Sequence, residues 1–208
     1  MKELCAKFHC ASRSMGMERI EHPLFYRVPI ALRFEIGDPA PTVPVYLPDG
    51  RANQQYIESA FHRASTLFRS LPDTWDILRF DCYEGENFQE LLKIVRAVTG
   101  LPAPHESASS SVEDKDLRLF SFYWNIVDSV FVCRLLREVI AADIGGHNAL
   151  VSSVYWMNTR DSILFHLYDD RGCDIIGANK EMLHPIYVQY NDWLLDYDRT
   201  RMDERFAR

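Results

Sequence analysis

Hydrophobic and polar positions change period several times along the chain, and each change marks an element. Leu4, Phe8, Ala11 and Met15 stand at helical spacing near the start. Ala31 to Ile36 then alternates, with Leu32, Phe34 and Ile36 on one face and Arg33 and Glu35 on the other, the period of a half-buried strand. Pro39, Pro41, Pro44 and Pro48 make a loop that closes on Asp49–Gly50. Tyr56, Ile57, Ala60, Phe61, Ala64, Leu67 and Phe68 form a wide helical stripe ending before Leu71–Pro72. Trp75–Tyr83 reads as a strand. Phe88, Leu91, Leu92 and Val95 read as a helix stopped by Gly100 and Pro102. Residues 101–116 lack a period, are rich in serine, and are expected to be a flexible loop.

The second half is more regular. Leu119–Asn125 is an expected strand, followed by a helix with Val132, Leu135, Leu136, Val139 and Ile140 on one side and Gly145–Gly146 as its stop. Val151–Met157, Ile163–Tyr168 and Cys173–Gly177 are three short strands. The turns Asn158–Asp161 and Asp169–Gly172 joining them are too short for anything but antiparallel hairpins. Tyr187, Tyr190, Leu194 and Tyr197 predict one last helix, with Pro185 near its start. This order lacks steady βαβ alternation. It predicts an α+β fold, a mainly antiparallel sheet with a C-terminal three-stranded meander and helices packed on one face. The part before 101–116 holds only two strands, so residues 1–208 are expected to form a single domain with that loop as an insertion.

Charge and cysteine content narrow the setting. Thirty acidic residues against 23 basic ones leave a net charge of −7. Such a surface repels polyphosphate and anionic lipid, so neither nucleic acid nor membrane is an expected partner, while a basic protein is drawn toward it. Five cysteines, an odd number with no CxxC pair, read as reduced thiols. Glu3, Lys7 and His9 interrupt any apolar stretch of a secretion signal, which predicts a cytoplasmic protein.

Two clusters have residue types suited to chemistry. His166, Asp169, Asp170 and Asp174 surround Arg171, Gly172 and Cys173 in nine residues, and their imidazole and carboxylates are of the kind that ligate divalent cations. The spacing lacks a calcium-loop pattern. Asp169 and Asp170 suit turn chemistry, with Gly172 expected at a positive φ, so no metal or other cofactor is expected. Trp193, Asp196, Asp198 and Arg199 form the second cluster, expected to be structural, with Arg171 pairing to one of its carboxylates and tying hairpin to helix. Cys5, His9 and Cys10 have no fourth ligand nearby for zinc. Cys82, Cys133 and Cys173 lie in apolar segments and read as core residues. No GxSxG, HExxH, GxxxxGK[ST] or GxGxxG occurs.

The strings VYWMNTRDSILFHLYDDRGCDIIG and LHPIYVQYNDWLLDYDRTRMDERF, with the earlier LFYRVPIALRFEIG, resemble a bacterial domain-of-unknown-function family, number 3885. The likeness spans residues 24–206 and is most specific over Asp169–Gly172 and Trp193–Arg199. It implies a stand-alone bacterial cytosolic domain and carries over no catalytic residue.

Size, acidity and the absence of a catalytic signature lead to the expectation of a protein-binding module. The specific form expected is an immunity-type inhibitor covering the active site of a basic bacterial toxin domain, with Asp169, Asp170 and Asp174 as part of its acidic surface. A metal-dependent hydrolase of a small phosphate or nucleotide, using His166 and the three carboxylates, is the alternative, as is a structural homo-oligomeric subunit.

Overall fold

A computed structural model describes residues 2–20, 22–37, 42–72, 74–111, 117–126, 132–147, 150 and 153–206, with the side chains of 132 and 133 outside it. The helices are α1 (Glu3–Ser14), α2 (Gln54–Arg69), α3 (Phe88–Thr99), α4 (Val132–Ala141), α5 (Lys180–Gln189) and α6 (Arg199–Phe206). The strands are β1 (Ala31–Glu35), β2 (Ile77–Tyr83), β3 (Glu106–Ser111), β4 (Arg118–Asn125), β5 (Ser153–Asn158), β6 (Ile163–Leu167) and β7 (Gly172–Gly177). They form one antiparallel sheet in the order β1-β7-β6-β5-β2-β4-β3, and β5, β6 and β7 are the expected meander. The fold is α+β.

Period two gives this sheet two unlike faces. Leu32, Ile175, Phe165, Trp156, Leu78 and Trp124 are successive cross-strand partners and make an apolar row across six strands. Helices α2, α3 and α4 cover that face. Phe68 of α2 meets Trp156 and Phe165 edge-on at 5.7 and 5.2 Å, and Phe88 of α3 stacks on Phe120 and Phe122. Asn53 and Asn87 cap α2 and α3 by accepting from Gln55 N–H and Glu90 N–H, which satisfies donors the first turn leaves open.

Three helices thus lie on one face as expected, but the opposite face is covered as well. Phe8 of α1 packs edge-on to Tyr123 and Tyr155, and Met15, Met17, Leu24, Phe25 and Val28 of the following strap are buried. The stretch 101–116 also differs from expectation. Residues 106–111 form edge strand β3, because backbone pairing with β4 supplies what their serine side chains do not signal; residues 112–116 lie outside the described residues. The single last helix divides into α5, short 3-10 turns at Asn191–Trp193 and Asp196–Asp198, and α6. Pro185 sits inside α5 rather than in its first turn. The break lets Leu194 bridge to Phe34 and Leu195 N–H donate to Arg33 C=O at 3.0 Å, closing the β1 edge.

Candidate functional site

The second face of the sheet carries an unusual row. Arg33, Asp174, His166, Tyr155, Arg79, Tyr123 and Glu106 are successive cross-strand partners through all seven strands, and each is polar or carries a polar tip. Because α1 and the strap cover this face, charges there must be matched inside the protein. Arg33 donates from Nε and Nη2 to both oxygens of Asp174 at 2.7 and 2.8 Å, and its Nη1 lies 3.5 Å from Asp198. Arg79 makes the same fork to Asp81, two residues along its own strand, at 2.7 Å twice. Its guanidinium lies over the rings of Phe8, Tyr123 and Tyr155. Glu106 accepts from the N–H groups of Leu4 and Cys5 at 2.9 and 3.1 Å, which fits a carboxylate at the positive end of α1.

His166 is the member without a partner. It is 2% exposed, and neither ring nitrogen has a hydrogen bond among the described residues. Its ring lies 4.7 Å from that of Tyr155, 5.4 Å from Tyr168 and 4.8 Å from His22 of the strap. Burial, reinforced by His22 and Arg33, pushes its pKa well below the ordinary histidine range, so the imidazole is neutral. His22 Nε2 is 2.5 Å from the Tyr155 hydroxyl and 3.1 Å from Ser153 Oγ, and burial lowers its pKa too.

The candidates drawn from sequence fall into three places. Asp170 and Asp174 are withdrawn from solvent, at 5% and 1% exposure, so they do not form an acidic surface with Asp169. Asp170 accepts from the Tyr56 hydroxyl at 2.6 Å, which ties the turn to α2. Burial raises its pKa, while that hydrogen bond acts the other way. Asp174 is committed to Arg33. Arg171 pairs with Asp169 inside the turn, so the tie between hairpin and C-terminal segment runs through Arg33 to Asp174 and Asp198 instead. Gly172 has no positive φ; glycine is required because a Cβ there would run into the Tyr168 hydroxyl and sit 2.8 Å from Phe34 C=O.

The second cluster divides between interior and surface. Asp198 is buried and accepts from the Tyr26 hydroxyl at 2.8 and 2.9 Å. Arg199 donates to Asn191 C=O and Oδ1 at 2.7 Å each, to Leu194 C=O at 3.3 Å and to Asp196 at 3.2 Å. Trp193 stacks on Tyr190 with Arg63 over its ring. Between these fixed points Asp196 and Tyr197 project outward, with the Asp196 side chain 93% exposed and Tyr197 87% exposed. Cys5, Cys82 and Cys173 are buried, and the Cys133 side chain lies outside the described residues. Among the described residues no group of three or more His, Cys, Asp or Glu is placed to hold a metal ion.

Against known proteins, the signature of the family described as a domain of unknown function, DUF3885, matches residues 10–198. The chain belongs to this family. An uncharacterized protein of Bacillus subtilis, YnaE, is 28% identical over 100 residues, a stretch covering 45% of this chain and 46% of that protein. The chain therefore spans less than half the length of this curated relative. No solved structure matches. The DUF3885 match takes in all seven strands and ends at Asp198, the residue that anchors the exposed turn to Tyr26 and Arg33.

Sequence reasoning passed over Arg33, Arg79, Asp81, His22 and Tyr155. A signal existed for Arg79 and Asp81: two opposite charges at i and i+2 in an otherwise apolar strand share one face and lie within reach of each other. Among the described residues no helix is long and apolar enough to cross a membrane.

Proposed function

We propose that this DUF3885 protein is a protein-binding module whose working surface is the Asp196–Tyr197 turn, and that in the cell it acts in the cytosol as an immunity-type inhibitor of a basic toxin domain. The observation that carries the reading is the contrast at the C-terminal cluster. Asp198 and Arg199 are held by Tyr26, Arg33, Asn191 and Leu194, while the tyrosine between the two acidic residues is 87% exposed. A tyrosine fixed at its backbone supplies a large amphipathic contact at small entropic cost, which is the chemistry of an interface anchor. Tyr26, at 36% exposure, stands beside it through Asp198. The buried carboxylates Asp81, Asp170, Asp174 and Asp198 each already meet a donor, which supports binding over acid–base work. The net charge of −7 steers a basic partner toward the protein at long range.

The test is affinity capture from a bacterial lysate with the wild-type chain and with Tyr197→Ala, at low and high salt, read by mass spectrometry. The expected result is one basic protein held by the wild type, lost with Tyr197→Ala and weakened by salt; co-expression with that protein then relieves its toxicity. An identical set of captured proteins for both chains overturns the assignment of the surface. A captured partner that is harmless when expressed alone overturns the inhibitor role.

A further inference from the structure

We propose that the outer edge of β3 is an interface between two copies of this chain, which pair β3 with β3 antiparallel about a twofold axis into one continuous sheet. The inference is independent of the partner-binding turn, which lies at the other end of the sheet.

The two edges of the sheet are treated differently. On β1, Leu194 and Leu195 pair with the backbone, and the Met202 sulfur accepts from Arg33 N–H, so that edge is sealed. On β3, the sequence Glu106-Ser-Ala-Ser-Ser-Ser111 has, among the described residues, a neighbouring strand on one side only. An open row of backbone donors and acceptors is a template for strand pairing, and soluble proteins usually blunt it with proline, an inward charge or a covering segment. This strand contains no proline and no lysine. Its one charge, Glu106, is used by the N-terminus of α1. The exposed lysine Lys2 reaches Ser107 C=O at 3.1 Å, a surface contact that an incoming strand displaces.

A second copy is the occupant that fits this edge. Antiparallel pairing of a strand with itself is isologous, so it closes at two copies, and with β1 sealed the sheet cannot grow further. Ser107, Ser109, Ser110 and Ser111 set hydroxyls against hydroxyls or alanine in such a pair, and serines facing one another across strands are compatible neighbours. A strand of six residues gives a modest interface, which corresponds to a concentration-dependent dimer. The dimer has a distinctive salt response. Two chains of charge −7 repel, so screening tightens self-association, whereas it weakens capture of a basic partner.

Sedimentation equilibrium of the full chain over a wide concentration range, at low and high salt, tests this together with hydrogen exchange. The expected result is a monomer–dimer equilibrium that salt strengthens, with amides in 106–111 gaining protection as concentration rises. Ser109→Glu combined with Ser111→Glu places like charges on both strands and adds to the repulsion between the chains, which weakens the dimer by about tenfold or more, with an unchanged circular dichroism spectrum because both side chains are exposed. A monomer at every concentration overturns the proposal. So does a dimer insensitive to the double substitution, protection gained elsewhere, or assembly beyond two copies. Failure of the Tyr197→Ala capture experiment leaves each of these readouts unchanged.

Discussion

Replacing His166 with phenylalanine removes two buried nitrogens that have no hydrogen bond among the described residues, and with them a source of acid sensitivity. In the folded chain burial, reinforced by His22 and Arg33, holds the imidazole well below its ordinary pKa. In the unfolded chain it titrates near the usual value of about 6.5. A histidine with a depressed folded pKa is neutral in both states above that value, so its effect on stability is constant there. Below it the unfolded chain takes up a proton that the folded chain refuses, and stability falls by about 1.4 kcal/mol for each pH unit until the folded pKa is reached. Between about pH 7.5 and about pH 4.5 His166 therefore lowers stability as the pH falls, by an amount set by how far burial depresses its folded pKa. On a chain of this size each kcal/mol lost corresponds to roughly 2–4 °C in Tm. Phenylalanine is larger than histidine and introduces some overpacking, but that contribution does not depend on pH. The informative quantity is thus the difference in unfolding free energy between wild type and His166→Phe, measured by urea titration and the fluorescence of buried Trp124 and Trp156 across this range. The difference should be flat above about pH 7.5 and move in favour of the variant as the pH falls, with a slope approaching about 1.4 kcal/mol per pH unit. Carboxylate protonation, common to both chains, cancels. A difference that stays constant over the whole range refutes the argument, because it means that His166 accepts a proton in the folded protein.

Other parts of the buried row have equally specific consequences. Arg33→Met leaves Asp174 and Asp198 buried without their cation and should cost about 3–5 kcal/mol by urea midpoint, with much of that recovered when Asp174→Leu is added. Tyr56→Phe removes the hydroxyl that donates to Asp170 and should cost about 1.5–3 kcal/mol; the same loss should appear in Asp170→Asn only in part, since an amide still accepts. Gly172→Ala drives a methyl group into Tyr168 and Phe34 C=O and should cost about 1–3 kcal/mol in thermal unfolding, despite the absence of a positive φ.

The strands and most helices were legible because hydrophobic period is a direct record of a face buried against an apolar layer. The alternation Leu32, Arg33, Phe34, Glu35 also misleads in one respect. It presents Arg33 as a solvent-side residue, whereas α1 and the strap cover that side and the Arg33 side chain is only 11% exposed. Local pattern cannot report whether a distant segment will cover a polar face. The same limit hid His22, which is brought to Tyr155 and Ser153 across more than a hundred residues. Strand β3 escaped notice because its serines have no apolar period and its order comes from backbone pairing with β4. In the C-terminal segment, Tyr187, Tyr190, Leu194 and Tyr197 keep helical spacing by coincidence, since the chain turns at Asn191–Trp193 and again at Asp196–Asp198. That break is what exposes Tyr197.

The central functional claim rests on Tyr197 as an interface anchor. Surface plasmon resonance of the captured partner against wild type and Tyr197→Ala, at low and high salt, tests it most directly. Removing a hot-spot tyrosine should cost about 2 kcal/mol or more, a loss of roughly thirtyfold in affinity, expressed mainly as faster dissociation at either salt. Raising salt should slow association of both chains equally, as the long-range charge is the same. Equal affinities for the two chains would contradict the account and move the binding surface away from the C-terminal turn.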